Sequence, residues 1–568
     1  MDKPPKEDAL RAFKQGNNAM ERGAWAEAVP HFLHACSLDP GRPSIRLALA
    51  AAYLRQNNSP EARRGLEVVL SGNPFEPDAW VLLGVVNDMN TCGFEALACF
   101  ERAIALDPNN IQAKINKGAL LKRLGHFQLG LDLAEEVLRI DPNSFEALTL
   151  KGTALMSLGD NLASLHCFES ALQLAPENPT ALVNASSALN HLGDNEKALD
   201  LLKRALAQNP HHKVGRFNLA ETYRDLGQLE TALREVRQLH AAEPENADTA
   251  FLRSTLELSH GDHALGWELY KARFYISKKP SRALFDTRSM WRGEATNALI
   301  IWCEQGIGEQ ILFSSLIAEV AKRVADVQLL VSPKLETLLK RSHPNITVVS
   351  DQAHLNEKAQ QIAMGSLGEL VRTSKSDFPE PRPTLVANPK LITEMQQHLQ
   401  HPTKLVIGLS WHSSNSLYGS AKSLDVSDLA PLLKCQELRL VNLQYGDVAK
   451  DLAPAVGSAH ASEVINPPGL DCFNDIEGLA AAIKACDVVV TASNTNAHIA
   501  AALGVPVLLL LSSGRGSYWY WEALDRGIPW YPGVEICRQS KGGDWRPAIT
   551  SALGKLKHRQ TIKLSARQ

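Results

Sequence analysis

Paired cysteines, long apolar runs and a marked excess of either charge are all missing from this sequence of 568 residues. Its nine cysteines form no CxxC pair, which argues against a disulfide framework or a zinc ribbon and fits a reducing compartment. The longest apolar run, around Val505 to Leu511, has the length of a strand and not of a membrane span. The first residues, MDKPPKEDAL, lack the apolar core of a signal peptide, so we expect a cytoplasmic protein without a transmembrane segment.

The charge balance excludes further classes of protein. Lysine and arginine number 59 against 62 aspartates and glutamates, for a formal net charge of -3. That balance predicts neither a basic nucleic-acid surface nor a disordered chain, and we expect no nucleic-acid partner. A chain of this length predicts two to four domains.

Prolines punctuate the first half of the chain at a fixed period of 34 residues. The residue before each is usually Asp, Asn, Glu or Ala, which predicts that a helix ends and a turn begins there. The prolines in phase are Pro40, Pro74, Pro108, Pro142, Pro176, Pro210 and Pro244.

Small residues recur in the same phase at two positions of each unit, where they let two antiparallel helices approach closely. The first set is Gly16, Ala50, Gly84, Gly118, Gly152, Ser186 and Ala220, and the second is Ala28, Ala62, Ala96, Gly130, Ser164, Ala198 and Ala232. Larger apolar residues such as Phe32 and Phe100 follow. Period and pattern resemble the tetratricopeptide repeat from about residue 9 to 246, with a degenerate capping unit to about Phe274. We predict repeats over residues 1–255, then capping helices and a linker over 256–296.

Asparagine occupies the sixth position of three units, at Asn116, Asn184 and Asn218. The concave face of such an array usually binds peptide, and an asparagine side chain can donate to and accept from a peptide backbone. The protein O-GlcNAc transferases, which this arrangement resembles, carry an asparagine ladder there. The ladder is partial here, because Lys14, Ala48, Leu82 and Leu150 interrupt it. The alternative is that the three asparagines are merely solvated residues of the inner face.

Beyond about residue 296 the pattern changes to strands alternating with amphipathic helices. This predicts parallel α/β units, and the Pro-rich segment Pro379 to Lys390 divides them into two doubly wound domains, over residues 297–400 and 401–568. The predicted strands are Ala298–Cys303, Val327–Val331, Ile346–Val349, Leu405–Leu409, Leu438–Leu443, Val488–Val490 and Val505–Leu511.

Two strand-to-helix turns in this half are the candidate sites for binding a phosphate group. In WCEQGIGEQILFSS, Trp302 to Ser315, a strand ends, glycines make a tight turn and a helix begins. In VVVTASNTNAHIAAALGVPV, Val488 to Val507, a strand runs into a polar turn that can cap a helix. Exposed N–H groups and the helix dipole at such a turn suit a phosphate group.

These turns, together with GWELYKARF, GSLGEL, GLSWHSSN, IPWYPGVEICRQ and GDW in this order, resemble the heptosyltransferase family of GT-B glycosyltransferases. The likeness runs from about Trp267 to Leu556 and concerns the branch fused to tetratricopeptide repeats. It implies an α + α/β chain, in which a repeat superhelix precedes a two-domain GT-B fold of two Rossmann-like domains. It also implies inverting transfer of a hexosyl, heptosyl or nonulosonic-type sugar from a nucleotide sugar to an acceptor protein. The SNT turn and the C-terminal motifs resemble members linked to flagellin and other surface glycosylation.

The resemblance assigns roles residue by residue. Glu309 matches the family's acidic residue after the glycine turn, an aspartate in heptosyltransferases, and is the candidate general base; Glu304 is the alternative. Either could instead be an acid that stabilises the helix N-terminus. Lys422 matches a basic residue facing the donor phosphates, or it is an exposed loop lysine. His498 matches a histidine near the diphosphate, or it is a packing residue.

The donor cleft is expected to be lined by loops at strand ends, from Ser410 to Asn415 and from Ser512 to Ser517. Ser493 stands where many relatives have aspartate, which leaves the identity of the donor open. Aromatic residues 518–521 could stack on a base or sugar, or pack between domains. The residues expected to contact the donor, besides Lys422 and His498, are Ser410, Asn415, Ser493, Asn494, Thr495 and Arg515.

No Asp-x-Asp motif occurs, so we expect a reaction without metal or cofactor, in which Lys422, His498 and helix N–H groups carry the charge of the leaving group. Two rival hypotheses remain. The chain could be a non-catalytic scaffold with a decayed transferase fold, which Ser493 favours. It could also be a lipopolysaccharide or polysaccharide sugar transferase, whose basic membrane-facing patch would be the C-terminal KHRQTIKLSARQ.

Overall fold

The fold is taken from a computed structural model that describes residues 5–277, 288–415, 419–446, 448, 464–514, 516–522, 527–540 and 543–565. The chain divides into two compact units, Met1–Leu189 and Asn190–Gln568. Among the described residues, none of the helices combines the length and apolarity needed to cross a lipid bilayer.

The first unit consists of helices in antiparallel pairs, and all the phased prolines lie in turns, as predicted. The helices are α1 (Pro5–Glu21), α2 (Trp25–Leu38), α3 (Pro43–Arg55), α4 (Ser59–Gly72), α5 (Pro77–Met89), α6 (Gly93–Leu106), α7 (Ile111–Arg123), α8 (Phe127–Ile140), α9 (Phe145–Leu158), α10 (Asn161–Leu174) and α11 (Pro179–Leu192), the last of which runs into the second unit.

Glycines of the first helix in three of these pairs receive a phenylalanine ring from the second helix. A methyl group built on any of the three would lie within 2.4 to 2.6 Å of the ring's Cε1 atom. The pairs are Gly16 with Phe32, Gly84 with Phe100 and Gly152 with Phe168. The phased small residues therefore do what the sequence predicted, because they let the two helices of a repeat approach each other.

The second unit begins with the last repeats and continues into the α/β half. Its repeat helices are α12 (Asn195–Gln208), α13 (Lys213–Asp225), α14 (Leu229–Ala242), α15 (Ala247–His260) and α16 (His263–Tyr270), followed by a 3₁₀ turn, Lys271–Phe274. The repeat helices continue to Tyr270, whereas the two compact units divide after Leu189. The reason is that Leu258, Trp267 and Tyr270 are buried in the same apolar core as the α/β half.

The first sheet contains four parallel strands in the order β3-β2-β1-β4. The strands are β1 (Ala298–Trp302), β2 (Asp326–Leu330), β3 (Thr347–Val349) and β4 (Gln360–Ala363). Their helices are α17 (Ile307–Ser314), α18 (Ile317–Val320), α19 (Glu336–Ser342) and α20 (Gly368–Val371). The order of strands reverses between β1 and β4, which is the place where doubly wound sheets bind ligands.

The second sheet has six parallel strands in the order β10-β9-β8-β5-β6-β7, with the reversal between β5 and β8. The strands are β5 (Leu405–Ser410), β6 (Leu438–Asn442), β7 (Val464–Ile465), β8 (Val488–Ala492), β9 (Val507–Leu511) and β10 (Val534–Arg538). The helices are α21 (Pro389–Leu399), α22 (Gly419–Lys422), α23 (Ala430–Leu433), α24 (Ile476–Lys484), α25 (Thr495–Ala502) and α26 (Arg546–Ser565).

Side chains of this sheet alternate between two apolar layers. Val489 and Leu509 join the core that contains α24 and α25, while Val490 and Leu510 join the core of α26. Burial on both faces explains why the strands read as continuous apolar runs in the sequence. All seven predicted strands are confirmed within two residues at each end. The strands β4, β7 and β10 were not predicted, because they are edge strands that are short or of mixed polarity.

Candidate functional site

The two turns singled out in the sequence lie against each other. Helix α17 follows the turn after β1, and helix α25 follows the turn after β8. A methyl group built on Gly308, in the first turn of α17, would lie 2.7 Å from Cδ2 and 3.0 Å from Nε2 of His498 in α25. Glycine at this position therefore permits a close approach of the two helices, which brings together elements that follow strands of both sheets.

Glu304 lies at the reversal of strand order in the first sheet and is committed to an ion pair. Its Oε1 accepts hydrogen bonds from Nε and Nη2 of Arg273, at 3.1 and 2.9 Å, and from the N–H of Gly365 at 3.1 Å. The side chains of Arg273 and Glu304 are 2% and 1% exposed. Because an acceptor hydroxyl could not reach this carboxylate without breaking the pair, Glu304 is the weaker of the two candidate bases.

Glu309, the other candidate, is partly accessible in the first turn of α17. Its Oε1 accepts a hydrogen bond from the hydroxyl of Tyr520 at 3.3 Å. The negative charge of Glu309 acts on several buried groups: with burial it raises the pKa of Tyr520 and of Tyr531, and it opposes the effect of burial on the pKa of Lys422. The carboxylate thus faces residues of the second sheet's half of the molecule.

Lys422 ends the short helix α22 and is buried, so the alternative of an exposed loop lysine is wrong. Its Nζ lies 4.8 Å from the centre of the Tyr518 ring and 3.5 Å from the Tyr518 hydroxyl. Burial lowers the pKa of Lys422 to about 8, although the Glu309 carboxylate acts in the opposite direction. The amine of Lys422 is therefore mostly protonated at pH 7. Among the described residues, no carboxylate forms an ion pair with it, so the ammonium can bind an anion.

His498 is fully enclosed by aromatic rings. Its Nδ1 lies 2.8 Å from the hydroxyl of Tyr531, and its ring centre lies 4.8 Å from that of Trp521 and 5.3 Å from that of Tyr520. Burial, and to a smaller extent the charge of Lys422, lowers the pKa of His498 to about 3. The imidazole is neutral at pH 7, so any stabilisation of a leaving group by His498 would come from a hydrogen bond and not from a full charge.

A polar network joins the ends of β5 and β8, on either side of the reversal in the second sheet. Asn494 caps α25 by accepting from the N–H of Asn496 at 3.0 Å, and its Nδ2 donates to the hydroxyl of Ser410 at 2.7 Å. Ser410 in turn donates to Gln444, which follows β6, at 3.0 Å. The N–H of His412 also donates to Gln444, at 2.8 Å. This network holds the loop after β5, one of the two loops predicted to line the donor cleft, against the turn after β8.

The other residues predicted to contact the donor differ in burial and in hydrogen-bond partners. Ser493 is buried and accepts a hydrogen bond from the indole Nε1 of Trp521 at 2.9 Å, so a neutral contact occupies the position where many relatives have aspartate. Thr495 is the first residue of α25 and is partly exposed. Asn415 follows β5, and its carbonyl accepts from the N–H of Gly419 at 2.7 Å.

The loop after β9 lies against the repeat helices of the same unit. Arg515, predicted in this loop, lies outside the described residues. Gly514 has a φ of +95°, and a methyl group built on it would lie 3.1 Å from Nδ2 of Asn195 and 3.1 Å from the carbonyl oxygen of Asp225. Helices α12 and α13 therefore border the loop after β9.

The aromatic run at residues 518–521 mostly packs inside the second unit. Trp519 is buried and meets Trp267 of helix α16 edge-on, with ring centres 5.2 Å apart. Tyr518, which is partly exposed, stacks on Tyr520 at 5.2 Å with an interplanar angle of 8°. Of the two alternatives, packing between domains accounts for Trp519 and Tyr520, while Tyr518 is partly exposed between Tyr520 and the Lys422 ammonium.

The asparagines of the predicted ladder differ in exposure. Asn116 and Asn184 are partly exposed on α7 and α11 of the first unit, and Asn116 accepts from Nε2 of Gln112 at 3.2 Å. Asn218, on α13 of the second unit, is buried with 7% exposure. Asn218 therefore cannot reach a peptide as it stands, and a ladder would rest on the other two residues.

Two residues that the sequence did not single out individually complete the site. Tyr270 and Arg273 come from GWELYKARF, which entered the sequence analysis only as a family motif, and both contact the turn that leads to Glu309. The hydroxyl of Tyr270 lies 2.9 Å from Nε2 of Gln305. Within the part of the chain that the structure describes, no group of three or more His, Cys, Asp or Glu side chains could hold a metal ion.

Comparison with known proteins identifies the helical part of the chain. Two family models described as tetratricopeptide repeat match it, one over residues 19–84 and 189–254 and the other over 149–212. Among curated proteins, the chain is similar to Protein FlbA of Caulobacter vibrioides (strain ATCC 19089 / CIP 103742 / CB 15), with 27% identity over 327 residues. The match covers 53% of this chain and 53% of that protein, so the chain spans about half the length of the curated relative it matches.

Similar solved structures are also repeat proteins or complexes. The APC/C hetero-tetramer Cut9-Hcn1 matches with 15% identity and a TM-score of 0.42, over 46% of this chain and 52% of that one. TTC0263, a thermophilic TPR protein of Thermus thermophilus, matches with 22% identity and a TM-score of 0.30, over 32% of this chain and 100% of that one. From the family models and its helix pairs, the helical part of the chain contains tetratricopeptide repeats, and the C-terminal half contains two parallel sheets.

Proposed function

We propose that this chain is a glycosyltransferase, which moves a sugar from a nucleotide-sugar donor to a hydroxyl group of an acceptor protein bound by the repeats. The observation that carries the proposal is the meeting of helices α17 and α25, which directs Glu309 toward Lys422 and the turn around His498. Both helices follow strands of doubly wound parallel sheets, and the ends of such strands are where these folds bind ligands. The order of strands in both sheets is also that of nucleotide-binding folds and supports a GT-B architecture.

The second sheet would bind the donor. Its strand order reverses between β5 and β8, and the Ser410–Asn494–Gln444 network holds the loops on both sides of the reversal. The start of α25, where Asn494 already accepts from the N–H of Asn496, directs the positive end of the helix dipole toward a diphosphate. Lys422 adds an ammonium group in a buried setting, where an ion pair with phosphate is stronger than in water.

The reaction would be a direct displacement at the anomeric carbon. The acceptor oxygen forms a bond to that carbon while the bond between the carbon and the phosphate oxygen breaks, which inverts the configuration. The Glu309 carboxylate takes the proton of the acceptor hydroxyl, and the electron pair of the broken bond leaves with the nucleoside phosphate. The Lys422 ammonium and the positive end of the α25 dipole stabilise the negative charge on that leaving group, and no metal is required.

The repeats would hold the acceptor. Tetratricopeptide arrays present a face that binds peptides, and the partly exposed amides of Asn116 and Asn184 can hydrogen-bond to a peptide backbone. The acceptor class carried over from the sequence resemblance is flagellin or another surface protein.

The proposal is tested by Glu309→Gln in the full chain. The substitution keeps the size of the side chain and removes its basicity. We expect single-turnover transfer to fall roughly a hundredfold, the usual scale for a lost general base, with the dissociation constant of the donor unchanged. A panel of UDP-, GDP-, ADP- and CMP-sugars, assayed for nucleotide release, first identifies the donor.

Glu357→Gln is the matched control, since Glu357 is an exposed glutamate in the same half of the chain. It should transfer sugar at the normal rate. Normal transfer by Glu309→Gln, with loss of transfer in a folded Glu304→Gln variant, would assign the base to Glu304. If the unaltered protein releases no nucleotide from any donor of the panel, the chain is a scaffold. The replacement of the relatives' aspartate by Ser493, which is hydrogen-bonded to Trp521, would then account for the missing activity.

The rival hypothesis of a lipopolysaccharide or polysaccharide sugar transferase has less support than transfer to a protein. Its basic patch was expected in the C-terminal segment, but helix α26 buries Leu556 and places three of its cations in ion pairs. Lys555 and Arg559 pair with Glu535, and Lys563 pairs with Asp487 at 2.6 Å. Within residues 543–565 these cations are therefore already partly neutralised.

A further inference from the structure

Helix α16 and the 3₁₀ turn after it reach directly into the turn between β1 and α17. The hydroxyl of Tyr270 lies 2.9 Å from Nε2 and 3.3 Å from Oε1 of Gln305. Arg273 binds Glu304 through two nitrogens and also donates to the hydroxyl of Ser366 at 2.8 Å. Two successive residues of the catalytic turn are thus each held by a side chain that comes from the end of the repeats.

The two holding residues are themselves fixed. Tyr270 is buried and stands edge-on to Trp267 with ring centres 5.4 Å apart, and burial raises its pKa to about 12, so its hydroxyl stays protonated. The guanidinium of Arg273 stacks over Tyr270 and Phe274 at 4.8 and 4.3 Å. Trp267 donates from Nε1 to the carbonyl of Arg372 at 2.8 Å. The end of the repeats is therefore anchored to the first sheet's half independently of the turn.

The turn transmits this placement to the candidate base. Gln310, one residue after Glu309, donates from Nε2 to the carbonyl of Gln305 at 3.0 Å and accepts from the N–H of Ser332 at 3.1 Å. The N–H of Gln310 also donates to the carbonyl of Gly306 at 2.9 Å. A shift of Gln305 would move the first turn of α17 and with it the Glu309 carboxylate.

We propose that Tyr270 and Arg273 are positioning residues, through which the last tetratricopeptide unit sets the geometry of the catalytic turn. The catalytic machinery then includes the end of the repeats, and the α/β half is incomplete without it. This inference rests on the proposed transferase function for its effect on rate, while the placement of the turn can be measured without any substrate.

The test is Tyr270→Phe in the full chain, which removes one hydroxyl and keeps the packed ring. We expect faster amide hydrogen exchange in residues 304–310, and a single-turnover transfer rate lowered about fivefold, the value of one hydrogen bond of ~1 kcal/mol. The dissociation constant of the donor should not change, because the donor lies on the second sheet. Tyr275→Phe is the matched control: Tyr275 is 78% exposed, and its loss should alter neither measurement.

A double-mutant cycle separates positioning from general damage. If the Tyr270–Gln305 hydrogen bond carries the effect, adding Gln305→Met to Tyr270→Phe should lower the rate no further. Additive losses, or unchanged exchange in residues 304–310, would overturn the inference and leave the transferase function standing. Faster exchange in a protein that consumes no donor would instead overturn the transferase function, and with it the effect on rate.

Discussion

The first unit and the α/β half of the second unit bury their apolar side chains in different ways. In the first unit the core is a series of small separate clusters, each shared by neighbouring helices, such as the one around Leu66 and the one around Phe100. In the second unit one large cluster joins Leu258 in the last repeats to both sheets and to Tyr531, which lies between β9 and β10. A repeat is thus stabilised by its nearest neighbours, whereas a residue of the α/β half depends on partners far away in the sequence.

Buried charges follow the same division. Arg273 and Glu304 are both almost fully enclosed, 31 residues apart in the chain. In the first unit even the well-buried Lys114 pairs with a glutamate, Glu136, whose side chain is 40% exposed. Water can replace a lost partner of Glu136 in the first unit but not of the enclosed Glu304, so the same kind of substitution should have very different consequences at these two sites.

The largest effect on stability is expected from Arg273→Gln, which leaves the Glu304 carboxylate buried without its cation. We expect the second unit to lose about 3–5 kcal/mol of its free energy of unfolding. Urea unfolding followed by tryptophan fluorescence measures this, because all tryptophans except Trp25 and Trp80 lie in the second unit. Arg123→Gln removes an exposed pair with Asp88 in the repeats and should change stability by less than about 1 kcal/mol. Equal losses of unfolding free energy in Arg273→Gln and Arg123→Gln would contradict the difference between the buried and the exposed ion pair.

A smaller and local effect is expected from Gly84→Ala. The added methyl group would lie 2.4 Å from Cε1 of Phe100, so the helix pair must shift, which destabilises the first unit by about 1–3 kcal/mol. Gly65→Ala is the matched control, since nothing lies within 4 Å of a methyl group there and α4 should gain about 0.8–1 kcal/mol of helix propensity. Hydrogen exchange by region should show the loss confined to helices next to α5 and α6; loss of protection in the α/β half would mean that the repeats do not behave as local units.

The smallest effect concerns the charge of Lys422 and depends on pH. Because burial lowers the pKa of this lysine to about 8, the free protein loses the ammonium as the pH rises through 8. A bound phosphate favours the charged form, so the dissociation constant of the donor should rise about tenfold per pH unit above that value, and be nearly constant below it. Titration calorimetry from about pH 6.5 to 9.5 measures the slope. Lys422→Arg stays charged in this range and should show no such slope, even if its affinity is lower; a slope retained in that variant would assign the titration to another group.

The helical repeats were almost fully predictable from the sequence, and so were the strands buried on both faces. Proline in every inter-repeat turn and small residues opposite Phe32, Phe100 and Phe168 are local requirements, which recur at one period and are therefore visible in one dimension. The edge strands β4, β7 and β10 were missed because an edge strand needs no continuous apolar run. The Asn ladder stays a prediction for Asn116 and Asn184, while the burial of Asn218, which depends on how its helix packs, could not be read from the sequence.

At the candidate site, the sequence by itself determined the two turns, their glycines and the side chains at the start of each helix. Only the tertiary structure placed His498 against Gly308, enclosed Lys422 and committed Glu304 to Arg273. The physical reason is that a residue type gives its possible chemistry, while its burial and its partners decide its charge and which atoms it can reach. Those partners come from segments far apart in the chain, so a local sequence pattern does not predict which residues will be in contact.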